Sequence, residues 1–240
     1  MIIPCLLIFG ITSFFFVWER VFPGRELPES PQWYLRAAFL NFCQVAIVAV
    51  SGVLWGRWLY SRSLFHFPHT HWPICEGLLG WFVGTFFFYW WHRARHHSNF
   101  LWRVCHQIHH SPTRIELLTA FYKHPIEIAA DSLLTSVVLY LFLGASLEGA
   151  VWYNVFAAFG EYFYHSNIRT PRWIGYFLQR PEHHSIHHQL DLHKFNYGDI
   201  TLWDRLFGTF RATEDFAPKC GFPNDHENNL GDMLLFRDSY

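Results

Sequence analysis

The chain has few charges, no paired cysteines and no acidic residues where a metal site would be expected to carry them. Of its 240 residues 15% are charged, 51% are hydrophobic and 20% aromatic, and the formal charge is -1. That balance gives no basic patch for nucleic acid. Cys5, Cys43, Cys75, Cys105 and Cys220 are odd in number and have no C-x-x-C spacing, which excludes a disulfide framework, a zinc ribbon and an iron–sulfur site. Internal repeats and low-complexity tracts are absent. The N-terminus lacks a basic n-region and an A-x-A-like cleavage site, so Ile2 to Trp18 is expected as a retained helix rather than a removed signal. The length suits one domain over 1–240.

Charge is missing most completely in long blocks. Ile2 to Trp18, Ala37 to Trp55 and Gly77 to Trp91 hold none, and Ser132 to Leu147 and Gly149 to Gly160 flank the single acid Glu148. A bilayer core needs about 20 apolar residues per helix, which the second block meets and the first and third approach. The last two read as a helical hairpin. Aromatic residues gather at the block ends, with Trp55, Trp58 and Tyr60, then Tyr89, Trp90 and Trp91, then Tyr162 and Tyr164, as at a membrane interface. Gly52 and Gly56, and Gly77, Gly80 and Gly84, permit close helix approach. The expected fold is all-α: a multi-pass integral-membrane helical bundle with a cytoplasmic helical cap. Arg20, Arg25 and Arg36, with Arg93, Arg95 and Arg103, mark the cytoplasmic side against Arg57 and Arg62.

Against this apolar background stand seventeen histidines, nine of them arrayed: His92/His96, His106/His109/His110 and His184/His187/His188, with His165 alone between the last two arrays. Residues three and four apart share a helix face, so each array is expected to aim its imidazoles at one point. Clustered imidazoles are costly to bury unless something binds them. Nine nitrogens exceed the needs of one ion, so the pattern predicts a dinuclear all-histidine centre, with iron, zinc, copper or nickel suited to the donor. The ligand-bearing segments follow the third apolar block and flank the hairpin, which gathers them at one side of the membrane. His97 and His183 adjoin ligands but point about 100° away. His66, His69 and His71 belong to a proline-flanked loop on the opposite face and are left as non-ligands, and His124 opens the hairpin as a residue that supports the site or starts a helix.

The order of motifs resembles the fatty acid hydroxylase and sterol desaturase superfamily. The resemblance rests on Trp91-His92-Arg93 through His96, His106 through Ser111, Leu118-Thr119-Ala120-Phe121 with His124-Pro125-Ile126-Glu127, His165-Ser166-Asn167, His184 through His188, Asn196-Tyr197-Gly198 and Trp203 through Phe210. Its nearest flavour is that of bacterial sterol-desaturase-like proteins and alkylglycerol monooxygenase. Position by position it implies ligands at His92, His96, His106, His109, His110, His165, His184, His187 and His188, for two iron ions that zinc can replace in isolated protein. It implies supporting hydrogen bonds to ligand imidazoles from Asn196 and Asp204, alongside His124. It also divides the chain into N-terminal transmembrane helices (1–75), a catalytic region (76–212) and a tail (213–240).

The residues between the histidines narrow the chemistry. Zincins place a glutamate there as general base and soluble di-iron bundles use Glu-x-x-His; Arg-Ala-Arg, Gln-Ile and Ser-Ile stand here instead. The expected activity is therefore O2-dependent hydroxylation of a lipid C–H bond, with lipid desaturation as the alternative outcome and metal handling as the alternative of another class. With no fused haem or iron–sulfur domain, the two electrons must come from a separate donor of ferredoxin or cytochrome type.

Overall fold

The computed structural model describes residues 2–65 and 72–240, apart from the side chains of Val53 and Arg57. His66, His69 and His71 lie outside the described residues. Among those described the chain is helical, with two isolated β-bridges and no strand. Three long helices come first: α1 (Ile2–Val21), α2 (Trp33–Tyr60) and α3 (Pro73–His97). Short α4 (Asn99–Leu101) runs through a π-helical turn at Trp102–His106 into α5 (Gln107–His110). The hairpin follows, built of α6 (Pro125–Ser136) with its π-helical extension Val137–Phe142, and α7 (Leu147–His165). The remainder holds three short helices, α8 (Pro181–His187), α9 (Thr201–Leu206) and α10 (Leu230–Leu234).

Among the described residues three helical segments are long and apolar enough to cross a membrane: α1, α2 and Pro125–Phe142. Within their most apolar windows only 17%, 18% and 33% of residues are buried inside the protein. Ile2, Phe9, Phe42 and Val45 are each more than two-thirds exposed, an apolar surface far beyond what scattered exposed side chains account for. The third block of the sequence, Gly77 to Trp91, is not among the three. It forms the middle of α3, which packs lengthwise on α7.

Glycine sets that packing distance. A Cβ at Gly77 would lie 2.7 Å from the Tyr153 backbone nitrogen, and one at Gly84 would lie 3.1 Å from the Tyr153 ring. Larger residues at these positions would push the two ligand-bearing helices apart. The α6–α7 connection is fixed from α3 as well, because the buried Glu76 carboxylate accepts both the Ser146 N–H, at 2.9 Å, and the Ser146 hydroxyl, at 2.6 Å. Ser146 caps α7 by accepting from Gly149 N, and Gly144 turns the chain at φ +64°.

The polar ends of α3 and α7 are covered by the rest of the chain. Phe15 of α1 packs with Leu117, Phe163 and Tyr164, while Trp33, Ala37 and Leu40 of α2 pack with Ile108, Tyr122 and Met233. The arginines of the first connection are built into this cover. Arg25 donates to Ala217 O at 2.6 Å, and Arg36 to Ser30 Oγ at 2.7 Å.

Candidate metal centre

All nine arrayed histidines converge, and they divide into two clusters. His92, His96, His106, His110 and His187 form one; His109, His165, His184 and His188 form the other. Within each cluster one ring nitrogen per histidine lies within 4.8 Å of all the others. His92 and His96 serve one point as expected, whereas the second and third arrays are each divided between the two clusters. Adjacent residues on a helix point about 100° apart, so His109 and His110 face different clusters, as do His187 and His188. An H-x-x-H-H array is a bridge between two sites, and His110 and His188 stack across the boundary with ring centroids 4.3 Å apart.

The local fold explains the aim of each group. His92 and His96 occupy successive turns at the end of α3. The π-helical turn precedes the second array and resets its rotation relative to α4; such turns recur at functional sites. Pro181 at the start of α8 launches the third array, and His165 is the last residue of α7.

Hydrogen-bond partners fix which nitrogen of several rings carries the proton. His92 Nδ1 lies 2.7 Å from Tyr197 O, and His187 Nδ1 lies 2.8 Å from Phe195 O. His106 Nδ1 lies 2.9 Å from the Glu127 carboxylate, and His165 Nδ1 is 2.9 Å from Glu161 O. These partners only accept, so each Nδ1 donates and each Nε2 turns a lone pair inward. Burial holds His106, His109, His110, His184 and His188 well below the ordinary imidazole pKa, and carries His187 to about 3. The rings are therefore neutral donors at physiological pH.

A neutral imidazole has one N–H, and a ring that donates it at Nδ1 has none left for a neighbouring Nε2. Yet His165 Nε2 lies 3.1 Å from His184 Nε2 and 3.3 Å from His109 Nε2, His106 Nε2 lies 3.2 Å from His110 Nε2, and His188 Nε2 lies 3.2 Å from His184 Nε2. An ion about 2.0–2.1 Å from each nitrogen sets neighbouring donors about 2.8–3.4 Å apart across octahedral to tetrahedral geometry. The buried Nε2 atoms of His92, His96 and His187 have no hydrogen-bond partner at all, an arrangement costly without a bound cation. The residues fit a metal at both clusters.

Supporting groups differ from those expected. Asn196 donates to His183 O (2.8 Å) and Arg211 O (2.9 Å), and Asp204 accepts from Tyr197 N (2.9 Å) and Gly198 N (2.8 Å). Asp204 touches none of the nine imidazoles, whereas the Asn196 main-chain carbonyl faces the His184 ring. Both stiffen the loop that presents the Phe195 and Tyr197 carbonyls, in which Asp191, His193, Phe195 and Asn196 all have positive φ, backbone strain held where ligands are positioned. His124 caps α6 by accepting from Ile126 N, and its ring lies against Phe236, away from the nine. His97 is exposed and bonds Arg93 O. His183 is buried, with its ring against Phe210.

Direct support comes from residues the sequence did not single out. Fully buried Glu127 bridges His106 and the Arg95 guanidinium, and His193 Nδ1 lies 3.1 Å from His110 Nδ1. Glu127 carried a signal, an acid in the first turn of a helix whose one other charge is Asp131, as did Arg95 between two arrayed histidines. The carbonyls and His193 carried none. Two cavities reach the centre. A small one, about 30 Å³, touches members of both clusters; a wider one, about 670 Å³, opens beside His96 between Arg93, His97 and Lys194, with no acidic residue in its wall.

The fatty acid hydroxylase family profile matches residues 77–209, which include all nine histidines. The chain belongs to the fatty acid hydroxylase family. It is 26% identical over 238 residues to human fatty acid hydroxylase domain-containing protein 2, covering 89% of this chain and 67% of that protein. Human alkylglycerol monooxygenase is 31% identical over 163 residues, 65% of this chain and 34% of that protein. A very-long-chain aldehyde decarbonylase of Oryza sativa subsp. indica is 30% identical over 122 residues, 49% of this chain and 47% of that protein. No solved structure matches the chain. Membership supports an oxidoreductase that acts on lipid, and three apolar helices accord with a membrane setting.

Proposed function

We propose that this protein is a membrane-bound di-iron monooxygenase that hydroxylates a lipid C–H bond, with R–H, O2, two electrons and two protons giving R–OH and water. The observation that carries the reading is the pair of adjacent clusters of buried, neutral Nε2 donors. Five donors would hold one iron and four the other. When bound, the iron pair supplies the redox capacity to use O2 against an unactivated C–H bond.

The chain's own contribution is positional. Glu127, with Arg95 behind it, holds the His106 proton at Nδ1, and the Tyr197 and Phe195 carbonyls do the same for His92 and His187, which orients the rings and raises their basicity as donors. Phe88, Tyr164 and Tyr197 line the small cavity and limit water at the reacting carbon. The lipid reaches that cavity from the apolar side of α3 and α7. A separate donor, of ferredoxin or cytochrome type, delivers electrons at the basic pocket beside His96. We assign this face to the cytoplasm, with α1, α2 and the hairpin in the membrane and 1–240 folded as one domain. The names of two relatives, alkylglycerol monooxygenase and very-long-chain aldehyde decarbonylase, favour a lipid substrate.

The test is lipid analysis of cells with the wild-type chain or His187→Ala, supplied with a competent reductant. A lipid heavier by one oxygen, present only with wild type, is expected. A product lighter by two hydrogens would replace hydroxylation by desaturation, and no lipid change with retained metal would replace the enzyme by metal handling.

A further inference from the structure

The small cavity has a wall unsuited to a bare hydrocarbon chain. Beside ligands of both clusters it is lined by Lys123, Glu161, Tyr164 and Asp199, with Phe88 the one wholly apolar contributor. Two of its charges are neutralised close by: Lys123 Nζ lies 3.2 Å from Glu161, and Arg95 pairs with Glu127. Asp199 has no ion-pair partner among the described residues. Its side chain accepts from the Tyr164 hydroxyl, at 3.3 Å to Oδ1, and also faces the Trp81 indole N–H. A carboxylate offers about four acceptor sites, so Asp199 has capacity for a further donor. None of these four residues is a histidine of either cluster, and the positioning of the ligands leaves Asp199 unused.

A methylene or methyl end placed here would strip water from these groups and return no hydrogen bond, which is unfavourable. A carboxylate end would add negative charge beside Glu161 and Asp199, where burial and Glu161 already push the Asp199 carboxyl up to about 7. A hydroxyl is neutral and donates. We propose that Asp199, backed by Tyr164, is the recognition site for the hydroxyl of a lipid alcohol, which enters oxygen-end first and so presents a carbon close to that oxygen to the two clusters. This rests on the lipid-oxidation reading and narrows it to a substrate class.

Gly160 of α7 forms part of the same surroundings: a Cβ there would lie 3.9 Å from both Asp199 Oδ2 and Tyr164 Cε1. Alanine therefore fits, and a branched side chain intrudes on the space the hydroxyl would take.

The experiment measures equilibrium binding of tritiated hexadecanol to the full chain in detergent, with unlabelled hexadecanol, hexadecane and palmitate as competitors. Hexadecanol is expected to compete best, with the other two weaker by roughly tenfold to a hundredfold, the range for one hydrogen bond to a charged group. Asp199→Asn is expected to weaken hexadecanol by roughly tenfold and to leave hexadecane unchanged. If that variant fails to fold, Gly160→Val is expected to lower hexadecanol affinity while Gly160→Ala retains it. Hexadecane or palmitate competing as well as hexadecanol overturns the proposal, as does unaltered hexadecanol affinity in a folded Asp199→Asn. Binding without any lipid product supports the site and breaks the oxidation reading alone. Equal oxidation of lipids with and without a hydroxyl keeps that reading and overturns the preference.

Discussion

The two histidine clusters share helices and ligand type but differ in how firmly their rings are held. In the five-member cluster four rings have a partner at Nδ1: a carboxylate for His106, main-chain carbonyls for His92 and His187, and the His193 ring for His110. In the four-member cluster His165 is braced by Glu161 O and His184 faces the Asn196 carbonyl, whereas His109 and His188 have no Nδ1 partner. Bracing fixes ring orientation before metal arrives, so part of the ordering cost is met during folding. The difference teaches that one chain can build two sites of unequal affinity from a single residue type, through second partners rather than through ligands.

The largest effect that would break this comparison is loss of a ligand from the braced cluster. His187→Ala is expected to remove that cluster's metal, halving the metal content of purified protein from two ions per chain towards one, and to abolish lipid product. Retention of two ions would show that His187 is not a ligand. His109→Ala should do the same to the other cluster, and a change confined to one ion in each case would establish that the clusters fill separately.

Next in size is removal of a brace. Glu127→Ala leaves all nine imidazoles in place but frees His106 and leaves the buried Arg95 with Asp131, at 3.8 Å, in place of its nearer partner. Metal affinity at the five-member cluster is expected to fall about 10–100-fold, read by titration with a chelator, and stability to fall as well because one partner of a buried pair is lost. Glu127→Gln, which keeps an acceptor for His106, should recover part of the metal affinity. In wild type the same titration should empty the four-member cluster first. Simultaneous loss of both ions would remove the asymmetry argued from the braces.

How much of this was legible beforehand follows from which groups have a residue-level signature. Histidine at helical spacing does, so the nine side chains that converge could be named before the fold was known. Their partition into two clusters follows from the 100° step between His109 and His110, and between His187 and His188, a rule already available in the sequence but overridden by treating each array as a unit. The spans were less legible. Gly77 to Trp91 is free of charge, yet its glycines serve packing against α7, whereas the span in the hairpin begins at Pro125, ahead of the uncharged block at Ser132. Main-chain carbonyls such as those of Phe195 and Tyr197 have no sequence signature, since every residue has one. Asp204 and the Asn196 side chain support the site through loop backbone, and it is the Asn196 main-chain carbonyl that faces an imidazole, that of His184.

A smaller effect is expected from pH. The buried imidazoles are neutral in the folded chain, with His187 held at about 3, whereas in the unfolded chain they titrate near 6.5. The unfolded state therefore binds more protons between those limits, and stability of the metal-free protein is full above pH about 6.5 and falls as pH drops towards 3. Thermal unfolding of metal-free protein should show a lower Tm at pH 5 than at pH 7.5. Bound metal should raise Tm at both pH values, because the folded rings are already neutral across that window and protons compete for them only nearer pH 3. A Tm independent of pH across that window would mean that the imidazoles are not buried as neutral groups.

The smallest effect tests where the centre ends. His124 precedes Pro125 and caps α6 by accepting from Ile126 N at 3.0 Å, and its Nε2 lies 3.4 Å from Leu234 O. It contacts none of the nine clustered histidines, although its motif accompanies theirs in the sequence. His124→Ala removes a cap and should cost about 1 kcal/mol, while His124→Asn, which can accept the same hydrogen bond, should cost less. Neither should alter metal content or the chelator titration. If His124→Ala released metal from the five-member cluster, the cap would be acting through α6 on Glu127, three residues along the same helix, and the brace on His106 would extend one turn further than its hydrogen bonds indicate.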